Sequence, residues 1–271
     1  RGRRYQAIEE DYLTLLLSKQ DALIKEVYGV GAIGVINGFV ALMTSLTLGW
    51  SAAFNELGKQ YENWQKEPLH SFDGISKDEA ARIANSVFGT ALHDVAAVTQ
   101  WPESLIEDLS LSAASVTDFE KVNSIDPLGI MPIVDKPFIR INGISYCFCV
   151  ANFLDHFYRS FYRAIRSRFI TSEVGSSNEF TLRWKESQAS ASEDGVAALF
   201  KKLLPGSTIC INGYHPRNGA KWNKRDVQES DLVILYEDAL LVVEVKAGAF
   251  CPTDPVDDSK GHIKSFQGLL E

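Results

Sequence analysis

Apolar positions in the first part of the chain recur at helical spacing. Tyr12, Leu13, Leu15, Leu16 and Leu17 fall into consecutive turns between polar neighbours, so residues 5–60 are predicted to be helical. Within that segment, residues 27–54 contain no charged side chain. A charge-free run longer than about 18 residues is long enough to cross a bilayer, and Gly29, Gly31, Gly34 and Gly38 would suit close helix packing in lipid. Asn37, Thr44, Ser45, Thr47 and Ser51 dilute the run, and glycine costs about 1 kcal/mol in a water-exposed helix interior. Buried helices are therefore the favoured reading, with a membrane anchor as the alternative.

Further along, Ser76-Lys77-Asp78-Glu79 has the form of a capping box, followed by the helical stripe Ala81, Ile83, Val87 and Leu92. His93 and Asp94 are adjacent on a helix and point in different directions, which predicts a structural role for them rather than a catalytic pair. Pro127, Pro132 and Pro137 then break the helical period, and Asn142-Gly143 separates two alternating runs. This predicts a β-hairpin over residues 137–150, with Cys147 and Cys149 on one strand face as small packing residues. From residue 152 to 169 the spacing predicts an amphipathic helix, with Phe153, Phe157, Phe161 and Ile165 on one side. Arg159, Arg163 and Arg166 form a basic line on another, read as a solvated face more readily than as a phosphate track.

A polar stretch containing Gly175-Ser176-Ser177 marks a boundary. It divides the chain into a mainly helical N-terminal domain over residues 1–170, a linker over 171–183 and a C-terminal domain over 184–271. The second domain reads helix, strand, polar loop, strand, strand, helix. Its helix runs from about residue 184 to 204 and its first strand over residues 208–214. A loop over 216–228 carries Arg217, Lys221, Lys224 and Arg225 around Trp222. Two apolar strands follow, 231–236 and 239–246, joined by Glu237-Asp238. The fold class is α+β overall.

Charge is costly in a buried strand unless a partner offsets the desolvation. Glu244 and Lys246 follow an apolar run and, two apart on a strand, share a face. Asp231 opens the neighbouring antiparallel strand, so the turn at 237–238 is expected to bring its carboxylate alongside Glu244. Two carboxylates there can share a hard cation through oxygen ligands, and a Lys ammonium beside them can orient or activate a water.

Composition adds limits. The chain of 271 residues is 45% hydrophobic and 23% charged, as in globular proteins. Its net charge of -8 means that any contact with nucleic acid must be local, as in the basic set of the 216–228 loop, where Trp222 could stack on a base. Cys147, Cys149, Cys210 and Cys251 lack the spacing of a zinc ribbon or a disulfide framework and read as reduced thiols of a cytoplasmic protein. The N-terminal Arg1-Gly2-Arg3-Arg4, leading into Glu9-Glu10-Asp11, is not a signal-peptide pattern.

Asp231 followed by Glu244-Val245-Lys246 resembles the bipartite signature of the PD-(D/E)XK nuclease superfamily, the restriction-endonuclease-like fold. Glu193 resembles the helix glutamate of its nuclease-related-domain (NERD), Mrr-like and resolvase-like members, and Gln267 their glutamine in the closing helix. The resemblance covers residues 184–271. It implies a C-terminal α/β domain around a central mixed sheet and a Mg²⁺-dependent endonuclease acting on DNA, with Mn²⁺ as a substitute metal. Asp231, Glu244 and the Val245 carbonyl would hold the metal, Lys246 would position the attacking water, Glu193 would tune that water or hold a second metal, and Gln267 would contact metal-bound water or the DNA backbone. Where many members have proline, Ser230 precedes Asp231. Prokaryotic defence or DNA processing would suit such an architecture, as would a homodimer cutting two strands, and RNA could replace DNA as substrate. Because folds of this type continue into a further strand, the domain is expected to be incomplete at Glu271. The alternatives are a non-catalytic nucleic-acid-binding or assembly module that keeps the fold, and a nuclease anchored in a membrane by residues 27–54. The N-terminal domain would then serve a membrane or protein partner.

Overall fold

A computed structural model describes residues 6–65, 76–78, 81–82, 85, 90–112, 132–216 and 227–245. The chain forms two compact units. One comprises Arg1–Thr14 and Asp21–Ser176, the other Leu15–Gln20 and Ser177–Glu271.

The first unit is mainly helical. It contains the first part of α1 (Gln6–Ser18), then α2 (Asp21–Tyr28), α3 (Ala32–Gln65), the short α4 (Thr90–His93), α5 (Val95–Thr99) and α6 (Glu103–Asp108). Strand β1 (Ser110–Ser112), α7 (Pro132–Asp135), β2 (Phe138–Ile141), β3 (Ile144–Tyr146) and α8 (Val150–Thr171) complete it. The α8 stripe is as the spacing predicts, with Phe153, Phe157, Phe161 and Ile165 all buried. Phe39 of α3 packs on Phe153 and Phe157 at 5.2 and 5.0 Å, and Trp101 stacks on Phe157 at 5.5 Å. Offset and edge contacts of this kind favour one arrangement of the rings.

Much of the charge-free run lies in α3 and contributes to this core through Val35, Phe39, Leu42 and Leu46. Among the described residues, Ala32–Ala52 is long and apolar enough to cross a membrane, and half of its most apolar window is buried within the structure. Gly38 has a packing reason, because a methyl group there would overlap the Trp101 indole. That indole donates a hydrogen bond to the Gly34 carbonyl at 3.2 Å.

The predicted hairpin forms around Asn142-Gly143, both at positive φ, but its second strand stops at Tyr146. Cys147 and Cys149 therefore lie beyond the strand; Cys147 is buried and Cys149 exposed. The hairpin also gains a parallel neighbour, β1, along β2, which makes the sheet of this unit mixed.

In the second unit, α9 (Ser177–Leu203) precedes the antiparallel strands β4 (Thr208–Pro216), β5 (Val227–Tyr236) and β6 (Ala239–Val243). Residues 177–183, assigned from sequence to a linker, are the opening turns of α9. Leu15–Gln20, assigned to the other domain, belongs here, where Lys19 pairs with Asp194 at 2.8 Å and Gln20 donates to the Trp184 carbonyl at 3.0 Å. The sheet, expected to be mixed, is antiparallel throughout its described strands. Ala197, Leu232 and Ile234 form its core, joined by Val196, Phe200, Leu204, Ile209, Val243 and Val245. Leu232 and Ile234, two apart, face this core, as the period of a strand requires.

Candidate functional site

The β5–β6 register runs from Tyr236↔Ala239 to Leu232↔Val243. One step further, Asp231 and Glu244 stand across from each other at the open end of the hairpin. Asp231 does not open its strand as the sequence suggested, because β5 begins at Val227 and places Asp231 in its interior. Glu244 is exposed and lies just past the end of β6.

The Asp231 carboxylate is part-buried and accepts a hydrogen bond from the Val245 amide through Oδ2 at 2.5 Å. Its neighbours Ser230 and Leu232 are buried, and the Val245 side chain packs against the α9–sheet core. Asp231 is thus fixed by the backbone of the segment that carries Glu244. A carboxylate that accepts from an amide through one oxygen has its second oxygen directed elsewhere.

On α9, Glu193 lies one helical turn before the core residue Ala197. Burial, and then the negative charges of Asp231, Asp194 and Glu229, push its carboxyl above the usual glutamate range. The influence of Asp231 on Glu193 places the two in one electrostatic neighbourhood. Glu229 and Asp194 belong to it as well and were not singled out from sequence. Glu229 is two residues from Asp231 on β5 and so shares its face, a relation that needed the true start of the strand.

Carboxylate oxygens gathered in one neighbourhood suit a hard divalent cation in kind. Among the described residues, no group of three or more His, Cys, Asp or Glu side chains is placed to hold a metal ion. Mg²⁺ does not require such a cage, since it is commonly held by one or two carboxylates, with water and substrate phosphate filling its other positions. Asp231 and Glu244 are the residues that would hold it.

Lys246, Gln267, Arg217, Lys221, Trp222, Lys224 and Arg225 lie outside the described residues. Of the expected set, the structure places Val245 and Glu244 beside Asp231, and Glu193 within electrostatic reach of it.

Other sequence features have structural roles in the first unit. His93 is fully buried, and its Nδ1 lies 2.8 Å from the Cys147 carbonyl. Asp94 caps α5 by accepting from the Ala97 amide at 3.2 Å. Arg163 of the basic line pairs with Asp135. Arg168, not noticed in the sequence, pairs with Asp108 through both carboxylate oxygens at 2.5 and 3.0 Å, and Tyr28 donates to the same group at 2.9 Å. Burial raises the Cys147 thiol to about 12, so it is a packing group rather than a thiolate at neutral pH.

Comparisons of the chain with protein-family models, with curated proteins and with solved structures find no match.

Proposed function

We propose that the second unit is a Mg²⁺-dependent phosphodiesterase domain and that the protein is an endonuclease acting on DNA, in prokaryotic defence or DNA processing. The observation that carries the reading is the placement of the Asp231 carboxylate on the Val245 amide, across from Glu244 and within electrostatic reach of Glu193. A strand-borne Asp, a Glu-x-Lys sequence that starts just past the end of the next strand and a Glu on the preceding helix are the components that the PD-(D/E)XK resemblance asks for.

In this reading Asp231 and Glu244, with the Val245 carbonyl, hold the cation. When bound, Mg²⁺ supplies Lewis-acid stabilisation of the charge that builds on the scissile phosphate. Glu193 binds its proton more tightly than an ordinary glutamate, which suits it to orient or deprotonate a water beside Asp231. Lys246 adds a positive charge where the phosphate becomes more negative, and Gln267 offers an amide to water or to the nucleic-acid backbone. Arg217, Lys221, Lys224 and Arg225 supply phosphate contacts, and Trp222 a stacking surface. A homodimer would place two such sites on two strands.

The test is cleavage of supercoiled plasmid, linear duplex, single-stranded DNA and RNA with Mg²⁺ or Mn²⁺, with EDTA and Lys246→Ala as controls. Cutting that needs both the metal and Lys246 supports the proposal, and the preferred polymer names the substrate. Binding of nucleic acid without cutting by the folded chain replaces it with a non-catalytic binding module.

A further inference from the structure

Five non-glycine residues among those described have positive φ. Four are at places where a left-handed residue is expected: Gln100 caps a helix, Asn142 and Glu237 stand in hairpin turns, and Glu173 follows the end of α8. The fifth, Asn212 at φ 56, lies inside strand β4. The β4–β5 ladder pairs Ile211 with Leu232 and Gly213 with Ser230, and it omits the pair between them. That pair is Asn212 with Asp231.

A residue in the left-handed region turns its two flanking peptide groups out of the pleat. On the β4 side, the ladder is therefore interrupted at the level of Asp231. The kink is tied to the packing next to it: a side chain at Gly213 would place its first carbon 2.5 Å from Val233 Cγ2, so only glycine lets the β4 backbone come this close. Val233 and Asp231 are two apart on β5 and share a face. The Asn212 side chain is exposed, so core packing of that side chain does not impose the conformation. Local departures from the ladder are over-represented next to active sites, where they re-aim a side chain.

We infer that Asn212 is a positioning residue, whose left-handed backbone, backed by Gly213 on Val233, sets the stretch of β5 that holds the Asp231 carboxylate against the Val245 amide. The inference rests on the nuclease reading for what Asp231 does once it is placed. Asparagine suits the position because it enters the left-handed region more easily than other side chains, glycine enters it freely, and a β-branched residue resists it.

Two measurements on the full chain test this separately from the activity. Amide hydrogen exchange at Val245 in metal-free protein, relative to the Leu232 and Ile234 amides, reads the Asp231 contact alone, and Mn²⁺ titration followed by electron paramagnetic resonance reads the site. Asn212→Val is expected to lose Val245 protection relative to those core amides and to weaken Mn²⁺ binding by about tenfold, since small misplacement of a positioned group is costly. Asn212→Gly is expected to recover most of both losses. If folded Asn212→Val keeps Val245 protection, or if Asn212→Gly is damaged as badly as Asn212→Val, the positioning role is overturned. If the wild type shows no Asp231-dependent Mn²⁺ binding while Val245 protection still follows residue 212, the metal reading fails and Asn212 is left with a structural role only.

Discussion

The Asp231 carboxylate and the Val245 amide meet at 2.5 Å at the open end of the β5–β6 hairpin, fourteen residues apart in the chain. This contact ties an acid in the interior of one strand to the backbone just past the end of the next, after Glu244. An aspartate whose oxygen is committed to an amide has few rotamers left, so its second oxygen is presented in a defined direction. Glu193 binds its proton more tightly because of burial and the negative charges of Asp231, Asp194 and Glu229.

Replacing Asp231 should therefore be felt at Glu193. Asp231→Asn keeps an acceptor for the Val245 amide and removes the negative charge. The Glu193 carboxyl is expected to titrate at lower pH in this variant, followed by carbon chemical shifts of its side chain. An unmoved titration would show that the two groups do not share a site.

The same glutamate gives stability a pH dependence. Its folded-state pKa is raised, so the folded chain binds this proton more tightly than the unfolded chain does. Its contribution is most favourable in acid and is lost as pH rises from the unfolded value through the folded one. Glu193→Gln should melt slightly higher than wild type at neutral pH and no higher in acid. The gain is expected to be small because Glu193 is only part-buried. A constant offset across the pH range would contradict this account.

In the first unit, Asp108→Ala removes the acceptor of both the Arg168 guanidinium and the Tyr28 hydroxyl. Leaving two part-buried donors without that acceptor is expected to cost about 2–3 kcal/mol in urea unfolding. A loss below about 0.5 kcal/mol, the usual range for a surface change, would show that the cluster is solvated.

Gly38→Ala tests the close approach of α3 to Trp101. The added methyl would displace the indole from its hydrogen bond to the Gly34 carbonyl and from its stack on Phe157. Overpacking of this kind costs about 1–3 kcal/mol, and both the melting temperature and the tryptophan emission should change. Unchanged emission would mean that the indole does not occupy this place.

Local pattern made parts of this architecture legible. The Phe153, Phe157 and Phe161 stripe and the Asn142-Gly143 turn are written in nearest-neighbour chemistry, and the turn at Glu237-Asp238 was enough to bring Asp231 and Glu244 to one level. Relations between distant residues were not legible in this way. Arg168 reaches Asp108 across sixty residues, and Tyr28 reaches it across eighty. The parallel pairing of β1 with β2 is equally non-local. Strand ends differ from the apolar pattern where a polar stretch such as Gln228-Glu229-Ser230 continues a ladder whose hydrogen bonds come from the backbone and are indifferent to side-chain polarity. Asn212-Gly213 looked like an unremarkable part of a strand, because its left-handed turn is visible only against the partner strand.

Cleavage of supercoiled plasmid in Mg²⁺ by wild type and Asp231→Asn, matched for fold by circular dichroism, separates a metal-dependent nuclease from a binding module. Wild type is expected to cut, EDTA to stop it, and Asp231→Asn to be slower by about a hundredfold or more while folding normally. Equal cutting by the two proteins would contradict it.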